Sequence, residues 1–202
     1  MAIETSIWIY WGFCALTMLA IVLNKPLVYS LLSTKTNSFY KNNNYKILLI
    51  AGWIATFLAS ISYILLTSKS EAGTYKIIDL LAFSFLNGIL EQFMFFFWFL
   101  LGCYLAKPWT TKNSTWIFIS GYVSYAIFSG FIHAFFWMNS LPEHQPATGI
   151  VVPLLAIMSC IWMWLFWQYR VVLPIIMMHI FVDFLMIGHL HFPWFESIRS
   201  LL

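Results

Sequence analysis

Six apolar runs, each about as long as a bilayer is thick, leave this chain one kind of fold. They cover roughly residues 7–24, 46–67, 77–106, 115–138, 149–169 and 172–189. A membrane-spanning helix needs about 17–25 mainly apolar residues. In lipid a spanning segment must satisfy its own backbone hydrogen bonds, so runs of this kind are helical. The pattern predicts an all-α, polytopic membrane helix bundle of about six transmembrane helices. The third run has 30 residues. At ~1.5 Å per residue it would reach about 45 Å, beyond a hydrocarbon core of about 30 Å. It must tilt, kink or protrude. The sixth run is short and opens near Pro174, a residue suited to the first turn of a helix.

Composition agrees. Of the 202 residues only 8% are charged, against about 25% in soluble domains. The length accommodates a single membrane domain, 1–202, with no separate soluble domain. A net charge of +3 gives no reason to expect nucleic acid as a partner, whereas membrane lipid is implied directly. The N-terminus has no basic stretch, and Glu4 is acidic, so the first run reads as a retained span rather than a signal peptide. The expected location is an integral, multi-pass membrane protein, in the cell membrane if the source is prokaryotic. Cys14, Cys103 and Cys160 are widely spaced and read as packing residues. The Asn113-Ser114-Thr115 sequon is an acceptor only in a eukaryotic secretory lumen.

Charge also orients the spans. Lys25, Lys35, Lys41, Lys46, Lys107, Lys112 and Arg170 fall on one side of the predicted topology, and Lys69, Lys76 and Arg199 on the other. The positive-inside rule makes the richer side cytoplasmic, so both termini point outward. The loop 25–46 reads as a connection between spans. Most of the abundant Phe, Trp and Tyr are expected on the lipid-facing surface and in interfacial belts, and the cluster Phe93–Trp98 as packing.

Against this apolar background four ionisable residues stand out: Glu91, His133, His179 and Asp183. A charge at mid-bilayer costs roughly 2.5–3.5 kcal/mol on insertion scales, and such residues usually face a protein interior or a water-filled cavity. Ser84, Asn87 and Glu91 form one polar stripe in the third run, with Gln92 pointing elsewhere. Ser129 and His133 are one helical turn apart in the fourth, where Gly130, Ser124 and Ser129 permit close helix contact. His179 and Asp183 are one turn apart in the sixth. Each has a bland reading as a buried hydrogen-bonding group. Convergence of three helices would instead bring together a carboxylate able to take a proton from water and histidines able to share that work or to stabilise an oxyanion. His144, His189 and His191 read as exposed or interfacial. There is no H-E-x-x-H motif, so no metal is expected. The alternative would be a divalent metal such as zinc at Glu91, His133 and His179.

The residues Leu90-Glu91-Gln92-Phe93-Met94-Phe95-Phe96, then Phe128-Ser129-Gly130-Phe131-Ile132-His133, then His179-Ile180-Phe181-Val182-Asp183 resemble the CPBP family of intramembrane proteases. That family includes CAAX-processing prenyl-protein endopeptidases and bacteriocin-processing or immunity proteins. Its motifs run E-E-x-x-x-R, F-x-x-x-H and H-x-x-x-N/D on successive membrane helices. The order is kept over about residues 80–188, and Trp167-Gln168-Tyr169-Arg170 with Leu173-Pro174-Ile175-Ile176 resembles the approach to the last motif. The first motif is degenerate: Gln92 stands for the second glutamate and Phe96 for the arginine. In the second, Phe128 lies one place early. The resemblance implies that Glu91 and His133 activate the attacking water and that His179 and Asp183 stabilise the oxyanion. It implies a membrane-bound hydrolase cutting a prenylated or leader-peptide substrate. Two other readings stay open: a catalytically inactive relative acting in binding or bacteriocin immunity, and a small transporter or haem/metal membrane protein.

Overall fold

The computed structural model describes residues 3–32, 42–66, 77–109, 114–137 and 148–190. Among these the chain is all-α, without a strand. The helices are α1 (Ile3–Leu23), α2 (Lys25–Leu31), α3 (Asn43–Leu66), α4 (Ile77–Ala106), α5 (Ser114–Ile132), α6 (Thr148–Tyr169) and α7 (Leu173–Leu190). The last turn of α5 continues as a π-helical segment, His133–Trp137. Five helices are long and apolar enough to cross a membrane, and α7 is a shorter apolar helix over Leu173–Gly188.

A helix occupies each of the six expected apolar runs, five of them long enough to span. One element was not expected: α2 occupies the start of the segment read as a loop. It is seven residues long, too short for an apolar-run criterion. Pro26 sits in its first turn, where its missing N–H costs nothing. Val28 and Leu31 turn inward and are buried.

Helix α4 is the hub, packed against α1, α5 and α7, while α3 packs against α6 and α7. Two close crossings place its neighbours. A Cβ on Gly102 would meet the Ser120 carbonyl at 2.5 Å and Cα of Gly121 at 2.9 Å, and one on Gly121 would meet the Phe99 carbonyl at 2.9 Å. Here α4 and α5 touch backbone to backbone, and Ser124 Oγ adds a 2.9 Å hydrogen bond to the Trp98 carbonyl. The second crossing is at Gly88, whose added Cβ would lie 2.7 Å from the backbone nitrogen of Ile180. It presses α7 onto α4 next to the polar residues of both. Gly130 makes no such contact: nothing lies within 4 Å of its Cβ position. The small residues that let α5 approach are therefore Gly121 and Ser124, and Gly130 faces open space.

The core is strongly aromatic. Phe83, Phe95, Phe96, Phe99, Phe118, Trp162, Phe166 and Trp167 are all buried, while Trp8, Phe13, Trp53, Phe57, Phe85, Trp116, Phe131 and Phe135 are exposed on the outside. With lipid outside, burial of apolar side chains gains little, and flat rings supply the close packing that holds helices together.

Basic residues gather at one end. Arg170 (φ 57°) turns the chain from α6 into α7, and its guanidinium lies 5.1 Å from the Tyr29 ring centroid. Lys25 Nζ is 5.4 Å from the same centroid, and Lys107 Nζ donates to the Ser30 carbonyl at 3.3 Å. The Tyr45 and Tyr169 rings meet at 5.2 Å, bringing the start of α3, with Lys46, to that end. Lys35, Lys41, Lys69, Lys76, Lys112 and Arg199 lie outside the described residues.

Candidate functional site

The crossing at Gly88 fixes the site. Asn87 and Glu91 are one turn apart on α4, His179 and Asp183 one turn apart on α7, and the two pairs face each other. Asn87 Nδ2 donates to Glu91 Oε2 at 2.9 Å and to Asp183 Oδ2 at 3.0 Å. Nε2 of His179 lies 3.5 Å from Glu91 Oε2 and 3.8 Å from Asp183 Oδ1. One amide and one imidazole thus stand between two carboxyl groups that would otherwise repel.

Helix α1 completes the arrangement. The Tyr10 hydroxyl donates to Glu91 Oε1 at 2.6 Å, and Trp11 Nε1 donates to Asn87 Oδ1 at 2.9 Å. Sequence reasoning missed both. Near the start of the first apolar run, a Tyr-Trp pair has the look of an interfacial belt. Only the packing of α1 on α4 reveals that both side chains reach the site.

His179 is gripped at both nitrogens. Its Nδ1 is 3.0 Å from Gln92 Oε1, so Gln92 turns towards the site rather than away from it. The ring stacks on Phe95 at 5.6 Å with an interplanar angle of 3°, and Trp162 approaches at 5.8 Å. Trp162 is held by its own hydrogen bond to Thr56 Oγ1 on α3, 3.1 Å. Two carboxyl groups beside Nε2 call for a proton there. With the amide oxygen accepting at Nδ1 the ring is an imidazolium. With the amide reversed, Gln92 donates to a neutral ring. Among the described residues Gln92 Nε2 has no hydrogen-bond partner. Phe95, assigned to packing with its neighbours, is therefore also a wall of the site. Phe96 is fully buried and stacks on Phe166 at 4.1 Å, so it packs the core behind the site.

A cavity of about 390 Å³ opens beside this network, lined by α4, α5, α6 and α7 with Tyr63 of α3. Glu91, His133, His179 and Asp183 all line it: the four ionisable residues singled out in the sequence share one chamber. His133 comes in from α5, at the first residue of the π-helical segment. π-Helical turns occur frequently at functional sites. Its Nδ1 lies 2.7 Å from the Ser129 carbonyl. A carbonyl can only accept, so Nδ1 carries the hydrogen. Apart from these groups and the hydroxyls of Tyr122, Tyr125, Ser129 and Ser159, the walls are mainly apolar. Tyr122 pins α5 to α6 by donating to the Ala156 carbonyl at 2.6 Å. Along the rest of α5, Ala126, Gly130 and Ala134 line the cavity yet are exposed, as are Val152 and Ala156 on α6. These small side chains border an opening on the flank of the bundle.

Among the described residues no three His, Cys, Asp or Glu side chains are grouped so as to hold a metal ion. Glu91, His133 and His179 share the cavity without forming a three-ligand set, and no chemical step is assigned to a metal. His144 and His191 lie outside the described residues. No family model, curated protein or solved structure matches the chain.

Proposed function

We propose that this chain is a multi-pass intramembrane endopeptidase, hydrolysing a peptide bond of a membrane-associated substrate with water activated by Glu91 and His133. The observation that carries the proposal is the shared chamber: a buried carboxylate 3.5 Å from a histidine, with a second histidine lining the same cavity. The resemblance to CPBP proteases in motif order supports the same reading. A water between Glu91 and Nε2 of His133 would lose its proton to one of them as its oxygen attacks the substrate carbonyl. The proton then passes to the departing amine. His179, protonated at Nε2, is the donor available to an oxyanion, since both hydrogens of the Asn87 amide are already given to Glu91 and Asp183. Asp183 holds the histidine. The apolar walls and flank opening suit a substrate approaching from the lipid, such as a prenylated or leader peptide. By the positive-inside rule the end bearing Lys25, Lys107 and Arg170 is cytoplasmic.

A second reading, a non-catalytic binding or immunity protein, is favoured by one feature. Both oxygens of Glu91 already accept hydrogen bonds, from Tyr10 and Asn87. The two readings separate on a membrane-peptide cleavage assay with Glu91→Gln and His133→Ala. The peptidase loses cleavage in both variants while each still folds. Cleavage that persists in both ends that reading, and intact partner binding in non-cleaving protein supports the second.

A further inference from the structure

The seam between α5 and α6 carries polar atoms that the water-activating groups leave unused. Helix α5 packs broadly on α4 and only lightly on α6, and the cavity opens along that seam. Its wall holds a stripe of hydroxyls. Tyr122, Tyr125 and Ser129 follow i, i+3, i+7 spacing on α5, in the row that leads on to His133, and Ser159 joins them from α6.

Their hydrogens are largely spent within the protein. Tyr122 and Ser159 both donate to the Ala156 carbonyl, at 2.6 and 3.0 Å, and their oxygens lie 3.5 Å apart. The Tyr125 hydroxyl interacts with Ser159 and with Ser129. A hydroxyl has one hydrogen and two acceptor lone pairs. With their hydrogens on Ala156, the oxygens of Tyr122 and Ser159 can only accept. A mainly apolar chamber thus presents a row of hydrogen-bond acceptors.

An unwound peptide is the ligand that needs such a row. Cleavage requires a scissile carbonyl released from its helix, and unwinding strips the neighbouring N–H groups of their partners. Lipid offers them none, so the protein must. The lengths match. Ser129 precedes His133 by about 6 Å of helix, and Tyr122 lies about 10 Å further along. An extended strand gains about 3.4 Å per residue, so the hydroxyls stand opposite residues about two to five places from the bond being cut.

We propose that Tyr122, Tyr125, Ser129 and Ser159 form an acceptor rail for the backbone N–H groups of an unwound substrate strand lying beside His133. The proposal rests on the peptidase reading and deepens it. The four hydroxyls are positioning residues, and they read extension of the backbone rather than side-chain identity. The substrate class that follows is an apolar membrane peptide with a glycine-rich or β-branched stretch, where leaving the helix costs least.

The test uses the full chain in detergent micelles and a mixed-sequence library of apolar synthetic peptides about 20 residues long, with cleavage read by mass spectrometry. The peptide cut best in a Glu91-dependent manner is remade with single esters in place of amides near the cut. An ester keeps the shape of the strand and deletes one N–H. With wild-type protein, an ester about two to five residues from the cut lowers kcat/KM by about tenfold. The double variant Tyr125→Phe/Ser159→Ala keeps the Tyr125 ring against Phe95. It cuts the amide peptide about tenfold more slowly and no longer penalises the ester. A folding defect slows both peptides alike, so a variant that keeps the wild-type amide-to-ester ratio overturns the rail. Wild-type protein indifferent to every ester overturns it as well. Tyr104→Phe, which removes an exposed hydroxyl outside the cavity, keeps both the rate and the ratio, and an equal loss there also counts against the rail. Absence of Glu91-dependent cleavage from the whole library overturns the peptidase reading and the rail with it, whereas cleavage without coupling overturns the rail alone.

Discussion

Glu91 and Gln92, neighbours on α4, reach the two ring nitrogens of one histidine: Glu91 Oε2 stands 3.5 Å from Nε2 of His179 and Gln92 Oε1 stands 3.0 Å from Nδ1. Consecutive residues on a helix point about 100° apart. Both can touch the same ring only because α7 crosses α4 at van der Waals distance, at Gly88. The imidazole is fixed in direction by the pair and in plane by Phe95.

That grip gives the first prediction. Gln92→Leu keeps the approximate volume but removes the group facing Nδ1. His179 then loses its orientation, and cleavage should fall by at least about tenfold, equivalent to ~1.4 kcal/mol of barrier. Gln92→Glu restores an acceptor for Nδ1–H and should keep activity near the wild-type level. Equal rates for Gln92→Leu and wild type would remove Gln92 from the site.

Tyr10 should behave as a positioning residue. Tyr10→Phe preserves the ring packed 5.4 Å from Phe136 and deletes only the hydroxyl on Glu91. An interhelical hydrogen bond in a membrane is worth about 0.6–1.7 kcal/mol, so stability should fall by about that much. A carboxylate freed on one side should lower kcat while leaving KM in place. Unfolding in a mixed detergent series and steady-state kinetics read the two effects. A change in KM alone would assign Tyr10 to substrate contact instead.

The sequence shows the helices plainly because lipid makes apolar length almost the whole criterion. It also shows the ionisable residues, because each is costly in hydrocarbon. That Glu91, His133, His179 and Asp183 line one cavity was suggested by the cost of ionisable residues on three apolar spans, but by no measurable spacing. Tyr10, Trp11 and the inward turn of Gln92 were not legible. Their roles depend on which face of α1 meets α4 and on how near α7 comes, and aromatic-rich membrane helices offer little contrast between faces. Helix α2 escaped because its two buried residues, Val28 and Leu31, make too short a stripe.

Gly88 should be intolerant where Gly12 is not. A methyl group at Gly88 meets the backbone of Ile180 at 2.7–2.9 Å, and backbone cannot rotate away. Gly88→Ala should cost about 1–3 kcal/mol and part Glu91 from His179, abolishing cleavage. At Gly12 nothing lies within 4 Å, so Gly12→Ala should be neutral or gain up to about 1 kcal/mol from helix propensity. Matched thermal midpoints for the two variants would contradict the close crossing.

The flank opening makes the most discriminating prediction. Gly130 lines the cavity, is exposed and has free space at its Cβ position. Gly130→Phe therefore adds a side chain whose Cβ meets nothing within 4 Å, and Phe is the better helix former by a few tenths of a kcal/mol. The fold should be as stable as wild type, with Glu91, His133 and His179 undisturbed. A peptide that enters between α5 and α6 must now pass the ring, so kcat/KM should fall by about tenfold or more, the equivalent of ~1.4 kcal/mol. Gly12→Phe on the outer face of α1 serves as the control and should leave turnover unchanged. Full turnover in Gly130→Phe would close this route and place substrate access at an end of the bundle.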